Sequence, residues 1–199
     1  LQVSNLATEA AKKIGPHSLL VRTGALYHDL GKMLNPEYFL ENQVGGDNPL
    51  MDMSHEDAAQ AIIKHVSDGV TLARKNGLPD QIIGFITTHH GRTKTRFFYN
   101  SFINDNPGVT PNDEKFTYPG PLPFSKETAI LMMSDAVEAR SRTLDEYTEM
   151  SISNMVDSMI NSQIADGQLK DAHISFKDVE TVKKVLSDKI KNIYHSRIT

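Results

Sequence analysis

The chain is organised around one stretch, Ala25-Leu26-Tyr27-His28-Asp29-Leu30-Gly31-Lys32. It closes an apolar, helix-like run that begins at Leu19, so His28 and Asp29 are predicted to lie at a helix end. Gly31 favours termination of that helix, and Lys32 places a cation beside the pair. The stretch therefore combines two side chains that can bind metal with one that can hold a phosphate.

Outside this stretch, apolar residues recur at helical spacing along most of the sequence. Helices are predicted from the start to Ile14, from Ser18 to Leu30, from Pro36 to Gln43, from Ser54 to Asn76, from Pro79 to His89, from Ser125, from Asp145 and from Phe176 to Ile193. A loop is predicted from Val44 to Met53. No run alternates between apolar and polar residues as a half-buried strand does. We therefore predict an all-α protein, a single helical bundle of about seven to nine helices over residues 1–199.

Residues 92–124 break the helical pattern. They are rich in basic, aromatic, Asn, Pro and Gly residues, and one helix is predicted within them, from Lys94 to Ile103. Long excursions in compact domains often carry function. Because this one follows His89-His90-Gly91, we expect it to border a substrate cleft.

The composition excludes several classes of site. The chain has 199 residues and no cysteine, so neither disulfides nor thiolate metal sites can form. A net charge of -4 gives no reason to expect binding to a nucleic acid polymer. No apolar run approaches the roughly 20 residues that cross a bilayer. Because the sequence begins at Leu1 inside a predicted helix, we expect it to be a piece of a longer protein.

Six residues near the apolar faces of predicted helices could bind metal: His28, Asp29, His65, His89, His90 and Asp135. Histidine nitrogens and carboxylate oxygens without sulfur suit iron, manganese or zinc. An aspartate can bridge two ions through its two oxygens. Two-metal sites that activate a water are widely used to hydrolyse phosphate esters.

A structural interpretation of the same residues is also open. A single histidine on the inner face of a helix is more often a hydrogen-bonded core residue than a ligand. His89-His90 could be a polar helix end, and Asp135 could cap a helix or form a salt bridge. From the pattern alone, the metal-centre and structural interpretations are about equally supported.

The order His-Asp, helix histidine, His-His-Gly and later helix aspartate resembles the HD phosphohydrolase superfamily. Several segments look like the cytoplasmic HD domain of the seven-transmembrane HD proteins, which are bacterial cyclic di-AMP phosphodiesterases. These segments are 25–33, 36–43, 62–66, 89–91, 118–121, 167–169 and 194–198. The resemblance implies a single HD domain over the whole chain, 1–199.

The resemblance also implies a metal centre. It assigns two divalent ions, iron or manganese, to the six residues named above, with Asp29 as the bridging ligand. His28 and Asp135 would belong mainly to one ion, and the three remaining histidines mainly to the other. One further histidine ligand of the family would lie upstream of Leu1, and His17 is not expected to replace it.

The implied activity is hydrolysis of cyclic di-AMP to linear 5′-pApA, in second-messenger signalling. Asp29 and Lys32 would be the catalytic residues. Lys32, Arg92, Arg96 and Tyr118 would bind substrate, although a solvated basic turn and ordinary core packing are alternatives for the last three. The parent would be an integral membrane protein that carries this domain in the cytoplasm, with a homodimer as one assembly. Two rivals are another HD nucleotide phosphohydrolase and a non-catalytic nucleotide-binding sensor.

Overall fold

The computed structural model describes residues 1–43 and 48–195, and within these ranges every regular element is helical. The α-helices are α1 (Gln2–Ile14), α2 (Ser18–Tyr27), α3 (His55–Ile63), α4 (His65–Lys75), α5 (Asp80–Thr88), α6 (Arg96–Asp105), α7 (Asp113–Phe116), α8 (Lys126–Ser141), α9 (Glu149–Ala165) and α10 (Phe176–His195). Shorter 3-10 turns cover Leu30–Leu34, Pro36–Tyr38, Leu40–Asn42 and Pro49–Asp52. The all-α prediction is confirmed. Among the described residues nine α-helices are longer than a single turn, in agreement with the predicted seven to nine, and α7 is one turn.

The chain divides into two compact units. The terminal unit comprises residues 1–27 and 122–199, and the central unit comprises residues 28–121. In the terminal unit, α1 packs against α2, α8 and α10, while α9 packs against α8 and α10. Its core is built from fully buried aliphatic side chains, among them Leu6, Ile130, Met133, Ile160 and Leu186.

In the central unit, α3 packs against α6 and α7, and α4 packs against α5 and the 3-10 turn Leu30–Leu34. That last contact depends on Gly31. A Cβ added there would lie 1.8 Å from the carbonyl oxygen of His65 and 2.6 Å from the amide nitrogen of Gly69. Gly31 therefore does more than end a helix, because it lets the turn lie directly against the backbone of α4.

Three predicted helix boundaries are wrong. The helix predicted to reach Leu30 ends at Tyr27, because the chain tightens into the 3-10 turn that packs on α4. The long helix predicted from Ser54 is interrupted at Lys64, where the Ile62 carbonyl accepts a hydrogen bond from the His65 ring. Finally, α9 is capped by Thr148 instead of Asp145, because Thr148 and Ser151 form a reciprocal capping box.

Two predicted helix ends are confirmed, and two further helix predictions differ from the structure. Gly15 ends α1 in the left-handed conformation, and Ser125 caps α8 through the backbone amide of Thr128. The helix predicted over 36–43 is a pair of 3-10 turns, and the helix predicted from Lys94 begins at Arg96. Of the predicted loop over 44–53, residues 44–47 lie outside the described residues, as do residues 196–198 of the closing segment. Within the described ranges, no helix is long and apolar enough to cross a membrane.

Candidate metal centre

Five of the six predicted ligands lie in the central unit, each at the end of an element. His28 and Asp29 occupy the turn between α2 and the 3-10 turn Leu30–Leu34, and His65 is the first residue of α4. His89 is the C-cap of α5, and His90 follows it. The sixth candidate, Asp135, lies in α8 of the terminal unit, and its role as a ligand stays a prediction.

The side chains of these five residues converge. The Nε2 atoms of His65 and His89 are 3.2 Å apart, and Asp29 Oδ1 lies 3.5 Å from the first and 3.6 Å from the second. Asp29 Oδ2 lies 3.2 Å from His28 Nε2. Two overlapping triads, His65/His89/His90 and His28/Asp29/His89, each bring three ligand atoms within 4.8 Å of one another. The two triads share His89, and Asp29 faces histidines through both of its oxygens.

The backbone fixes the tautomers of His65 and His89. Nδ1 of His65 lies 2.7 Å from the Ile62 carbonyl oxygen, and Nδ1 of His89 lies 2.8 Å from the Ile86 carbonyl oxygen. Because a carbonyl oxygen only accepts, each Nδ1 carries a proton, and the neutral form of each ring presents a lone pair at Nε2.

The two Nε2 atoms face each other across 3.2 Å, so they are placed to share a cation, either a proton or a metal ion. Two nitrogens that each lie about 2.1 Å from one ion are roughly 3.0–3.4 Å apart at octahedral or tetrahedral angles. The carbonyl oxygens also fix the orientation of the two rings. Histidines that bind metal commonly donate their second ring N–H to an acceptor of this kind. The residues present therefore fit a bound metal ion.

Burial lowers the pKa of two histidines of the centre, His65 and His90. The rings of His28, His65 and His89 are buried, Tyr118 stacks on His90 at 4.2 Å between ring centroids, and Phe39 contacts His65 edge-on at 5.6 Å. Burial, followed by the neighbouring His89, lowers the pKa of His65 to about 4. The same two causes, in the same order, hold the pKa of His90 well below its ordinary value. Neutral imidazole is the form that binds metal, so this pocket is prepared for ligation at neutral pH.

The only acid among the five converging residues, Asp29, is ionised. Burial by itself raises the pKa of Asp29, but His28, His89 and Lys32 together hold it well below its usual range. Lys32 Nζ lies 2.8 Å from Asp29 Oδ2 and 2.6 Å from Glu41 Oε1. Burial opposes the charge on Lys32, yet these two carboxylates raise its pKa above the ordinary value. The centre therefore presents an anionic carboxylate and a firmly cationic lysine side by side.

The lowered pKa of His65 predicts that the chelated, metal-free protein loses stability in acid. In the unfolded chain His65 takes up a proton below about pH 6.5, whereas in the folded chain it does so only near pH 4. The stability of the folded chain is therefore unaffected by this group above pH 6.5 and falls as the pH is lowered from 6.5 towards 4. The loss amounts to something on the order of 3 kcal/mol. Urea unfolding of the chelated protein at pH 7.5 and 4.5 measures the loss.

The His65→Gln variant should lose clearly less stability over the same interval, whereas His173→Gln, in an exposed loop, should behave as the parent does. An equal loss in the His65→Gln variant would contradict a neutral, buried His65.

Sequence reasoning missed two residues of this site. Glu41 is nine residues from Lys32 and forms an ion pair with it, and Phe39 lies under the Lys32 ammonium at 4.9 Å from the ring centroid. A signal was present, since both belong to the 36–43 segment that carries part of the resemblance. Among the predicted substrate-binding residues, Arg92 and Arg96 are exposed, while Tyr118 is buried and has one ring face covered by His90.

The chain is similar to known proteins over its whole length. The family model described as HD domain matches residues 1–140. The cyclic-di-AMP phosphodiesterase PgpH of Listeria monocytogenes is 39% identical over 198 residues, which cover 100% of this chain and 27% of that protein. The protein of the same name from Bacillus subtilis is 37% identical over 198 residues, which cover 100% of this chain and 28% of that protein. The chain thus spans about a quarter of the length of these curated relatives.

Two crystal structures are also similar. That of the L. monocytogenes PgpH HD domain has a TM-score of 0.90 and 36% identity, and the match covers 98% of this chain and 90% of that one. The same domain in complex with cyclic-di-AMP has a TM-score of 0.91 and 38% identity, with coverage of 97% and 89%.

Proposed function

The chain belongs to the HD domain family, and from this premise we propose that it is a metal-dependent phosphodiesterase that hydrolyses cyclic di-AMP to linear 5′-pApA. The observation that carries the proposal is the convergence of His65 and His89 Nε2 on Asp29, with both rings held in the metal-binding tautomer. The choice of substrate is supported by the names of the relatives and by the similar domain whose structure contains cyclic-di-AMP.

We assign the metal centre to His28, Asp29, His65, His89, His90 and Asp135, with two divalent ions, iron or manganese. Such ions act as Lewis acids on a phosphoryl oxygen and supply a hydroxide at neutral pH. The chain's own residues prepare the site for this chemistry. Asp29 offers one oxygen to the side of His28 and the other to the side of His65 and His89, and Phe39 and Tyr118 shield the His65 ring from solvent.

Lys32 is proposed to neutralise the phosphate. Its ammonium lies 2.8 Å from Asp29, so an oxygen of a phosphate bound at the centre comes within its reach. Its raised pKa keeps it charged over the whole physiological range. A fixed cation that faces developing negative charge contributes to hydrolysis without any reorganisation at the moment of reaction.

The test is an assay of purified protein that has been reloaded with manganese or iron. Cyclic di-AMP, cyclic di-GMP and adenosine monophosphate are compared as substrates, the products are separated by chromatography, and a chelated sample is the control. We expect 5′-pApA from cyclic di-AMP only, and no turnover after chelation. Tight binding of cyclic di-AMP without turnover would favour the non-catalytic sensor, and preference for another nucleotide would favour a different HD phosphohydrolase.

The excursion 92–124 yields a separate prediction. Arg92 and Arg96 are exposed and follow the His89-His90 pair closely in the chain. Replacing both with glutamine should weaken cyclic di-AMP binding by about tenfold or less, the scale of two screened surface charge contacts. The remaining affinity should depend less on salt. Calorimetric titration at two salt concentrations provides the measurement.

The matched control replaces Arg74 and Lys75, two exposed basic residues at the end of α4, and so changes the net charge equally. Equal losses in the two double variants would mean that only the overall charge matters, and the excursion would then have no specific role.

We also propose that the chain serves as the cytoplasmic domain of an integral membrane protein. Support comes from the resemblance and from the share of the relatives' length that the chain spans.

A further inference from the structure

The ammonium of Lys32 is shared between two carboxylates. Its Nζ lies 2.8 Å from Asp29 Oδ2 and 2.6 Å from Glu41 Oε1. Asp29 is also engaged by the histidines of the centre, because the same Oδ2 lies 3.2 Å from His28 Nε2. Glu41, by contrast, belongs to neither of the triads that could hold an ion among the described residues. The proposed chemistry uses Asp29 and Lys32 but gives Glu41 no task.

The fold fixes the position of Glu41 relative to Lys32. Phe39, two residues before Glu41, is buried. Its ring lies edge-on to His65 at 5.6 Å and under the Lys32 ammonium at 4.9 Å. The amide of Asn42 donates to the Phe39 carbonyl at 2.9 Å and closes the 3-10 turn that carries Glu41. An ion pair between two freely moving surface side chains contributes little, but here one partner stands on a turn that a buried ring anchors.

Asp29 has to serve two cations, the ammonium of Lys32 and a metal ion. The ammonium contacts Oδ2, the oxygen that faces His28, and His28 and Asp29 belong to one of the two triads that could hold an ion. Because like charges repel, an ammonium that is paired with Asp29 alone weakens metal binding there. A second carboxylate on the ammonium reduces this repulsion and still leaves the cation beside the centre. Glu41 supplies that carboxylate.

We propose that Glu41 is a positioning residue of the metal centre, which holds the Lys32 ammonium in place and offsets its charge, so that Asp29 can bind metal while Lys32 faces the phosphate. This rests on the proposed function, because the task of Lys32 belongs to it. Glu41 is neither a metal ligand nor a catalytic residue, since it acts through Lys32. Removal of its charge should therefore matter only while the Lys32 ammonium is present.

The first experiment titrates chelated protein with manganese in a calorimeter and compares Glu41→Gln in two backgrounds. In the parent, Glu41→Gln should weaken manganese binding about fivefold, the scale of one partly exposed ion pair. In Lys32→Met, where no ammonium competes for Asp29, the same change should alter the affinity by less than about twofold. Lys32→Met alone should tighten manganese binding, since it removes a cation from the centre. The control, Glu37→Gln, changes the net charge equally at an exposed glutamate of the same segment and should bind manganese as the parent does.

The second experiment follows hydrolysis at saturating manganese, where differences in metal affinity no longer matter. The kcat for cyclic di-AMP should fall about tenfold in Glu41→Gln and about a hundredfold in Lys32→Met, and the double variant should be no slower than Lys32→Met. Unchanged manganese affinity in Glu41→Gln, or equal effects of this change in the two backgrounds in either measurement, would overturn the proposal. Failure of the parent to hydrolyse cyclic di-AMP would overturn the proposed function alone, and the manganese titration would still decide the role of Glu41.

Discussion

Replacing Asp29 with alanine is expected to strip the centre of metal and to lower cyclic di-AMP hydrolysis about a thousandfold or more. The reason is its central position. Oδ1 lies within 3.6 Å of the Nε2 atoms of His65 and His89, and Oδ2 lies 3.2 Å from that of His28. Removal of this carboxylate takes away the one anionic donor that all three of these imidazoles face. Elemental analysis gives the metal content, and steady-state kinetics gives the loss of activity.

Two further variants make the Asp29 result interpretable. Asp29→Asn keeps the shape and one oxygen but removes the charge, so it should retain more metal than the alanine variant. Asp171→Ala removes an exposed carboxylate in the terminal unit and should behave as the parent does. Full metal content in the Asp29→Ala protein would show that this residue is not shared between ions.

Gly31→Ala is the second change with a large expected effect, although Gly31 cannot itself bind metal. The added methyl group would lie 1.8 Å from the carbonyl oxygen of His65 and 2.8 Å from its carbonyl carbon. Both are backbone atoms, so no rotamer change can relieve the clash and the 3-10 turn must move away from α4. We expect a loss of about 3 kcal/mol or more in the free energy of unfolding. Because the turn follows Asp29 and the clash is with His65, metal content should fall as well.

Gly69→Ala provides a comparison at the same contact. Its added methyl group would meet the side chain of Ile86 at 2.9 Å, and a side chain can yield where backbone cannot. Gly69→Ala should therefore cost clearly less stability than Gly31→Ala in urea unfolding. If Gly31→Ala leaves both stability and metal content unchanged, the turn does not need its close approach to α4.

The sequence predicted best the parts of the fold that local chemistry decides. Gly15-Pro16 ends α1 and Ser125 opens α8, since a cap is built from neighbouring residues. The start of α9 was not decided by the sequence, because Asp145 and Thr148 are both possible N-caps with a polar residue three positions later, and the structure shows that Thr148 pairs with Ser151. The end of α2 was not predictable from neighbouring residues, because it depends on how the 3-10 turn that follows packs against α4.

The candidate site likewise has features that the sequence predicts and features that depend on the folded structure. Metal-capable residue types and their order along the chain pointed to five side chains that meet in the central unit. The partner of Lys32 did not follow from any periodicity, because Glu41 reaches it through two successive 3-10 turns. The fixed tautomers of His65 and His89 likewise depend on backbone carbonyls, which a sequence pattern does not reveal.

The convergence of His65 and His89 also has a consequence for the abundance of the protein. Their Nε2 atoms come within 3.2 Å of each other only in the folded chain, so an ion that binds there stabilises the folded state alone. Metal at a thousand times its dissociation constant would add about 4 kcal/mol to the free energy of unfolding. Metal starvation should therefore shorten the lifetime of the protein towards proteases, so that the supply of the ion would set how much folded protein a cell keeps.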